Sequence, residues 1–376
     1  MEYYNELEYG IEQKISVYVK GGYNTPDYYR IHQYLYRTKY LSCHYHQMLS
    51  DKMYQRVIPI SEKRPKEQFF IFMVIYIRMV LALTHDLFWR PYYIVVLRRI
   101  TPRKMPFPIK PLLWLNLKLG SKLIWDFDDD ILAFKEISLK NFNWFSKIAT
   151  YISVTHEGLK QLIKPAYREK VRTLVTTDGD GEFLFPNKDF QEARLETLSH
   201  EVDLAWTATS MNLPYLEDIM DVLDQAAVQL KQKTGKTLCL KVICNKPLNY
   251  PAKNIIIKNF EWSKSEALYQ LLTAHIGIMP LIDSKIARGK GGFKLVQYLA
   301  LGLPAIGTDV GFNSHVIDES CGKLIPCQDK EKWIDAILEL SDIDKWKEYS
   351  YNAYLKWQKD FPFKTNLAYW QYILNS

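Results

Sequence analysis

Short β-branched and aromatic runs alternate along this chain with longer stretches of helical period. Lys14 to Gly22, KISVYVKGG, predicts a strand running into a glycine turn, and Pro26 to Tyr36, PDYYRIHQYLY, a helix with proline in its first turn. YLSCHYHQML predicts a second strand. Apolar residues crowd Ser61 to Phe88 into a long helix, and YYIVVLRRI follows as a strand. PLLWLNLKLG predicts a helix closed by Gly120, and KLIWDF a strand that ends in the acidic cluster Asp126, Asp128, Asp129 and Asp130. TYISVTHEGLKQLI predicts one more strand and helix.

Asn187 to Asp203, NKDFQEARLETLSHEVD, is charged and aperiodic and predicts an interdomain linker. The alternation then restarts: strand LAWTAT, helix LPYLEDIMDVLDQAAVQLKQK closed by Gly235, strand LCLKVIC, short strand NIIIKNF, helix SKSEALYQLLTA and strand HIGIMPL. Strands alternating with helices imply right-handed βαβ units and parallel sheets. Two such sets predict an α/β protein of two Rossmann-like domains.

Composition narrows this picture a little. At 376 residues the chain suits two domains of roughly 150 to 200 residues each. Its five cysteines, Cys43, Cys239, Cys244, Cys321 and Cys327, are scattered and form no C-x-x-C pair, which fits a reducing cytosol and speaks against a zinc site. The acidic start MEYYNELEYGIEQK shows no secretory signal, so no export is expected. The net charge of +7 comes from the N-terminal half. Between Arg90 and Trp125 lie Arg90, Arg98, Arg99, Arg103, Lys104, Lys110, Lys118 and Lys122 and no acidic residue, a run that faces an anionic partner or stays solvated.

Candidate chemistry concentrates in Ala287 to Asn313, ARGKGGFKLVQYLALGLPAIGTDVGFN. Gly291 and Gly292 let the backbone approach a ligand closely, and the first turn of the helix that follows, from Phe293, points N-H groups at it. Lys290 and Lys294 add charge-assisted donors for a diphosphate. The stretch follows a strand at the carboxyl edge of a sheet, where open α/β sheets bind ligands. It is not a Walker A loop, because the glycine spacing and the Lys-Ser/Thr pair are missing. On these residues alone a plain strand-to-helix turn with solvated lysines remains an alternative.

The run from Glu261 to Asn313, EWSKSEALYQLLTAHIGIMPLIDSKIARGKGGFKLVQYLALGLPAIGTDVGFN, resembles the donor-binding region of family 4 glycosyltransferases of the GT-B type. IWDFDDDIL, YISVTHEGLKQLI and LAWTATSMNLPYLE resemble further family segments in the expected order. The resemblance implies two Rossmann-like domains with parallel sheets facing a central cleft. Residues 1–195 become an N-terminal acceptor domain onto which a C-terminal helix, 360–376, packs back, and residues 196–359 a donor-binding domain. It implies no cofactor beyond the nucleoside diphosphate sugar itself, and no catalytic metal.

Many members carry two Glu with seven residues between them, where this chain has Gly289 and Gln297. Gln297 retains the capacity to meet the donor ribose, and Asp283 and Arg288 are nearby candidates for the sugar hydroxyls. By resemblance Gly21 and Gly22 form a second glycine loop on the donor diphosphate. Arg30 is a candidate for an anionic acceptor or donor, or a solvated surface residue. Asp128 is an acceptor or sugar contact, or part of a solvated loop. Trp262 packs beside the nucleobase or sits in the core. Glu266 reads as a helix N-terminal residue after a Ser263 cap. His156 and His315 pair with nothing at metal spacing.

Gln68 to Ile77, QFFIFMVIYI, is too short to span a bilayer and predicts a core helix or a helix dipping into the bilayer interface. The expected activity is a retaining hexosyl or glycosyl transfer to a glycan or lipid-linked acceptor in bacterial surface polysaccharide assembly. Lys294, Lys290 and Asp128 are its catalytic candidates. The expected location is the cytoplasm or, peripherally, the inner face of the cytoplasmic membrane, with no nucleic acid partner. An inactive glycosyltransferase-like partner subunit and a sugar-nucleotide epimerase or phosphorylase of the same architecture are the alternatives.

Overall fold

The protein is described by a computed structural model over residues 13–21, 27–35, 41–57, 60, 63–97, 105–179 and 188–375. Gly22 and the basic residues Arg98, Arg99, Arg103 and Lys104 lie outside the described residues. The chain divides into two units, one built from the residues up to Leu174 with those from Asn366 on, the other from Val175–Thr365.

The first unit holds a six-stranded parallel sheet of β1 (Gln13–Val19), β2 (Leu41–Gln47), β3 (Tyr93–Leu97), β4 (Lys122–Phe127), β5 (Tyr151–Val154) and β6 (Val171–Thr173). Its spatial order is β2-β1-β3-β4-β5-β6. Every residue of β3 is buried, as a strand covered by helices on both faces requires. The strand order reverses between β1 and β3, which marks the ligand crevice of this sheet at the carboxyl ends of those strands. The end of the C-terminal helix Phe363–Asn375 belongs to this unit: Tyr93 Oη donates to the Ile373 carbonyl at 2.7 Å, and Ser153 and Tyr369 share a hydroxyl bond of 2.7 Å.

The long helix Pro65–Trp89 buries Ile71, Ile75, Met79, Ala82, Leu83 and Asp86 in this core. The stretch Gln68 to Ile77 is therefore the front of a 25-residue helix whose apolar window has a mean hydropathy of 1.7. That corrects the sequence expectation on length: the element reaches spanning size. Its buried stripe nevertheless makes it a wall of the domain. The opposite face, with Phe69, Phe70, Met73, Ile77 and Leu81 at helical spacing, is apolar and exposed.

The second unit has a second six-stranded parallel sheet, β7 (Glu201–Thr207), β8 (Thr237–Cys244), β9 (Ile256–Glu261), β10 (Ile276–Met279), β11 (Ala305–Thr308) and β12 (Gly322–Ile325). The order β12-β11-β10-β7-β8-β9 is the doubly wound arrangement, with its reversal between β7 and β10. Gly277 of β10 lets the helix Phe293–Ala300 lie close on the sheet, because a Cβ there would stand 2.3 Å from the Tyr298 ring.

Asn187 to Asp203 is not a linker. It forms the helix Lys188–Leu198 and the start of β7, and it belongs to the second unit, so the division falls after Leu174 rather than at 195. The physical reason is Arg194, 2% exposed, whose guanidinium donates to the carbonyls of Leu271, Leu272 and Leu301 at 3.2, 2.7 and 3.0 Å. They lie at the C-terminal ends of Lys264–Leu272 and Phe293–Ala300, where the helix itself leaves carbonyls short of donors. Burial lowers the Arg194 pKa to about 9, which leaves it charged at neutral pH. His275 beside it takes the Asp203 N-H on Nδ1 and donates from Nε2 to the Arg194 carbonyl; burial holds it neutral, with a pKa lowered to about 3.

Candidate functional site

In the second unit the reversal point gathers the segments that leave β7 and β10 at their carboxyl ends. After β10 the chain makes a short helix, Lys285–Arg288, capped by Ser284 and ended by Gly289, and then reaches Lys290, Gly291 and Gly292. Gly292 has φ of 65° and is the N-cap of Phe293–Ala300. A Cβ there would meet Val316 Cγ2 at 3.1 Å, so the left-handed turn and the tight packing both select glycine. The first turn of this helix is where the sequence expectation puts an anion.

Lys290 donates to Asn212 Oδ1 and lies 5.0 Å over the Tyr215 ring, so it ties this turn to the segment that follows β7. Asn212 is held in turn by Thr209, and the Ser210 N-H donates to Asn245 Oδ1 at 2.8 Å. Asn212, Tyr215 and Asn245 escaped sequence reasoning; the only signal for them was their place just beyond strand ends. Lys294 stands half-buried in the first turn, near the end of β8. Burial raises the Cys244 thiol, and the Lys294 charge pulls it the other way. Phe293 is half-buried beside it.

Gln297 is 6% exposed and donates from Nε2 to Asp178 Oδ2 at 2.8 Å, a contact no spacing announces. Asp283 and Arg288 are exposed and form a forked ion pair of 2.6 and 2.7 Å with each other. Trp262 is half-buried against the core, its N-H on the Cys244 carbonyl at 3.1 Å. Ser263 caps Glu266 at 3.1 Å as read from the sequence.

In the first unit Gly21 is buried at the carboxyl end of β1. Arg30 is not a surface residue: it is 4% exposed, donates from Nε to Asp126 Oδ1 at 3.0 Å and from Nη2 to Asp126 Oδ2, and reaches the Leu174 carbonyl at 2.6 Å. Burial alone would lower its pKa, but Asp126 outweighs burial and raises it. The solvated-surface alternative is thereby replaced by a buried ion pair. The acidic cluster separates by task. Asp126 holds Arg30, Asp130 caps its own turn by accepting from Leu132 and Ala133 N-H at 3.0 and 2.8 Å, and Asp128 and Asp129 stay half-buried at the end of β4.

Residues 211–342 match the family described as glycosyl transferases group 1. No curated protein matches the chain in sequence. Among solved structures it is similar to a sucrose-phosphate synthase from Thermosynechococcus elongatus, at 12% identity and a TM-score of 0.62 over 96% of this chain and 98% of that one. It is also similar to HepE of Anabaena in complex with UDP-glucose, at 11% identity and a TM-score of 0.63 over 96% and 99%. A third is the N-terminal domain of Candida albicans trehalose-6-phosphate phosphatase, at 10% identity and a TM-score of 0.59 over 98% of each. Residues 211–342 thus resemble the group 1 glycosyltransferases, in a chain whose two parallel six-stranded sheets give it the GT-B fold.

Proposed function

We propose that the chain is a retaining glycosyltransferase of the family 4 kind, moving a sugar from a nucleoside diphosphate donor to a glycan or lipid-linked acceptor in bacterial surface polysaccharide assembly. One observation carries the reading. Within the matched segment, a glycine-capped helix N-terminus flanked by Lys290 and Lys294 lies at the strand-order reversal of the second sheet. The donor C1–O bond to the diphosphate breaks, the acceptor oxygen bonds to C1, and the acceptor proton leaves with the diphosphate. Charge grows on the leaving group, where the helix N-terminus and the two ammonium groups stabilise it. The donor is the only activated group the reaction needs. HepE, solved with UDP-glucose, supports a nucleotide sugar as donor by its likeness in fold. Incubating the full chain with a panel of nucleotide sugars and acceptors, read by mass spectrometry, is expected to give one donor that is consumed with a matching glycosylated product. Neither transfer nor hydrolysis of any donor overturns the reading and leaves the inactive partner subunit in its place.

A peripheral position on the inner face of the cytoplasmic membrane belongs to the same reading. Phe70 (63% exposed) and Leu81 (63%) on the long helix, with Phe107 (81%) and Trp114 (51%) beside it, form an apolar surface. Tyr76 joins the two segments through the Phe107 carbonyl at 2.8 Å, and Lys118 sits 5.3 Å over the Trp114 ring. Aromatic and aliphatic side chains edged by lysine suit an anionic interface. Sedimentation with phosphatidylglycerol vesicles is expected to fall as salt rises, and to fall further in the triple variant Phe70→Ser, Ile77→Ser, Leu81→Ser. No sedimentation at low salt removes the membrane from the proposal.

A further inference from the structure

Three histidines of the first unit converge between an edge strand and the long helix. His44 and His46 stand two residues apart on the edge strand β2 and so share a face, and His85 comes from the last turns of the long helix. One ring nitrogen from each can be chosen so that the three lie within 4.8 Å of one another. Ring centroids are 4.6 Å apart for His44 and His46, 4.7 Å for His44 and His85, and 5.5 Å for His46 and His85.

Asp86, fully buried, lies behind them. Its Oδ1 faces His46 Nε2 at 3.0 Å and His85 Nδ1 at 3.2 Å and also accepts from Ser16 Oγ at 2.7 Å, while Oδ2 accepts from Tyr18 Oη at 2.7 Å. A carboxylate only accepts, so each ring nitrogen facing it carries the proton. The second nitrogen of each ring is then the one that would serve a metal as a ligand. A buried carboxylate that fixes the tautomer of a histidine is the arrangement that orients imidazole ligands on a metal. The other comparable cluster among the described residues, Glu201, Asp203 and Cys239, is already neutralised: Lys258 lies 2.8 Å from Glu201 and Lys241 2.8 Å from Asp203. Among the described residues no such ion pair is formed with a lysine or arginine at the three histidines.

We propose that His44, His46 and His85, oriented by Asp86, bind one divalent ion of the zinc class and so clip the edge strand β2 to the end of the long helix. Three imidazoles without a carboxylate ligand select zinc, cobalt, nickel or copper over magnesium or calcium. A tetrahedral ion with nitrogens at about 2.0 to 2.1 Å needs them roughly 3.4 Å apart, so the rings close by about an ångström. His44 and His85 are exposed and have the room to turn, and water takes the fourth position. The role of the site is structural. The cysteine pattern that spoke against zinc bears only on thiolate ligands.

Cobalt(II) titration of the full chain without a polyhistidine tag, followed by visible absorption and by zinc displacement, tests this. One equivalent with tetrahedral bands is expected, together with a melting temperature that rises with zinc and not with magnesium. His44→Ala and His85→Ala, both at exposed positions, are expected to bind at least about tenfold more weakly while melting like the metal-free parent. The absence of tetrahedral bands, or equal affinity in both variants, overturns the proposal. Nucleotide binding is measured in parallel and is expected to be the same with and without zinc, so failure here is separate from failure of the transferase reading.

Discussion

Lys294→Ala is expected to weaken UDP binding by about 10- to 100-fold, the loss of one or two charge-assisted hydrogen bonds of about 1.5 to 3 kcal/mol. The side chain stands in the first turn of Phe293–Ala300, where the N-H groups and the helix dipole already favour an anion. Its ammonium therefore adds to a field of the same sign. The fold should not notice, because the packing of this helix rests on Leu295, Val296, Tyr298 and Leu299, all fully buried. Calorimetric titration of UDP into parent and variant, with melting curves of both, measures the two quantities. An unchanged affinity removes Lys294 from the site. Lys290→Ala is expected to weaken binding less, since that ammonium already leans on Asn212 and the Tyr215 ring.

Arg194→Met is expected to lower stability by about 3 kcal/mol or more while filling most of the same volume. The substitution leaves the buried carbonyls of Leu272 and Leu301 without the guanidinium and takes one donor from that of Leu271. Urea unfolding followed by tryptophan fluorescence reads the change, and Arg194→Lys should recover only part of it, since an ammonium cannot reach three carbonyls with a planar fork. The same variant tests the support of the candidate site. Leu301 ends the helix that carries Lys294, so a loosened C-terminus should weaken nucleotide binding too.

The alternation of strands and helices was legible because parallel strands covered on both faces read as unbroken apolar runs. KLIWDF proved to be β4, residue for residue. The helix Lys188–Leu198 was not legible, because its anchor is an arginine and its outward residues are charged, so no apolar period marks it. Site residues were readable where backbone demands a residue type, as at Gly292. They were unreadable where function depends on a partner far away in sequence. Arg30 looks solvated until Asp126, 96 residues on, is seen beside it. The four clustered aspartates cannot be sorted into an ion pair, a turn cap and two half-buried carboxylates by spacing alone.

Gln297 and Asp178 carry one consequence for how this site tolerates change. Where many proteins with a similar segment place a glutamate, this chain has an amide that donates to a carboxylate 2.8 Å away. A second carboxylate at that distance, in a buried setting, would force one of the pair to take up a proton. The two positions therefore behave as a single slot for negative charge. Gln297→Glu is expected to lower the melting temperature at neutral pH, and Asp178→Asn in the same chain to restore it.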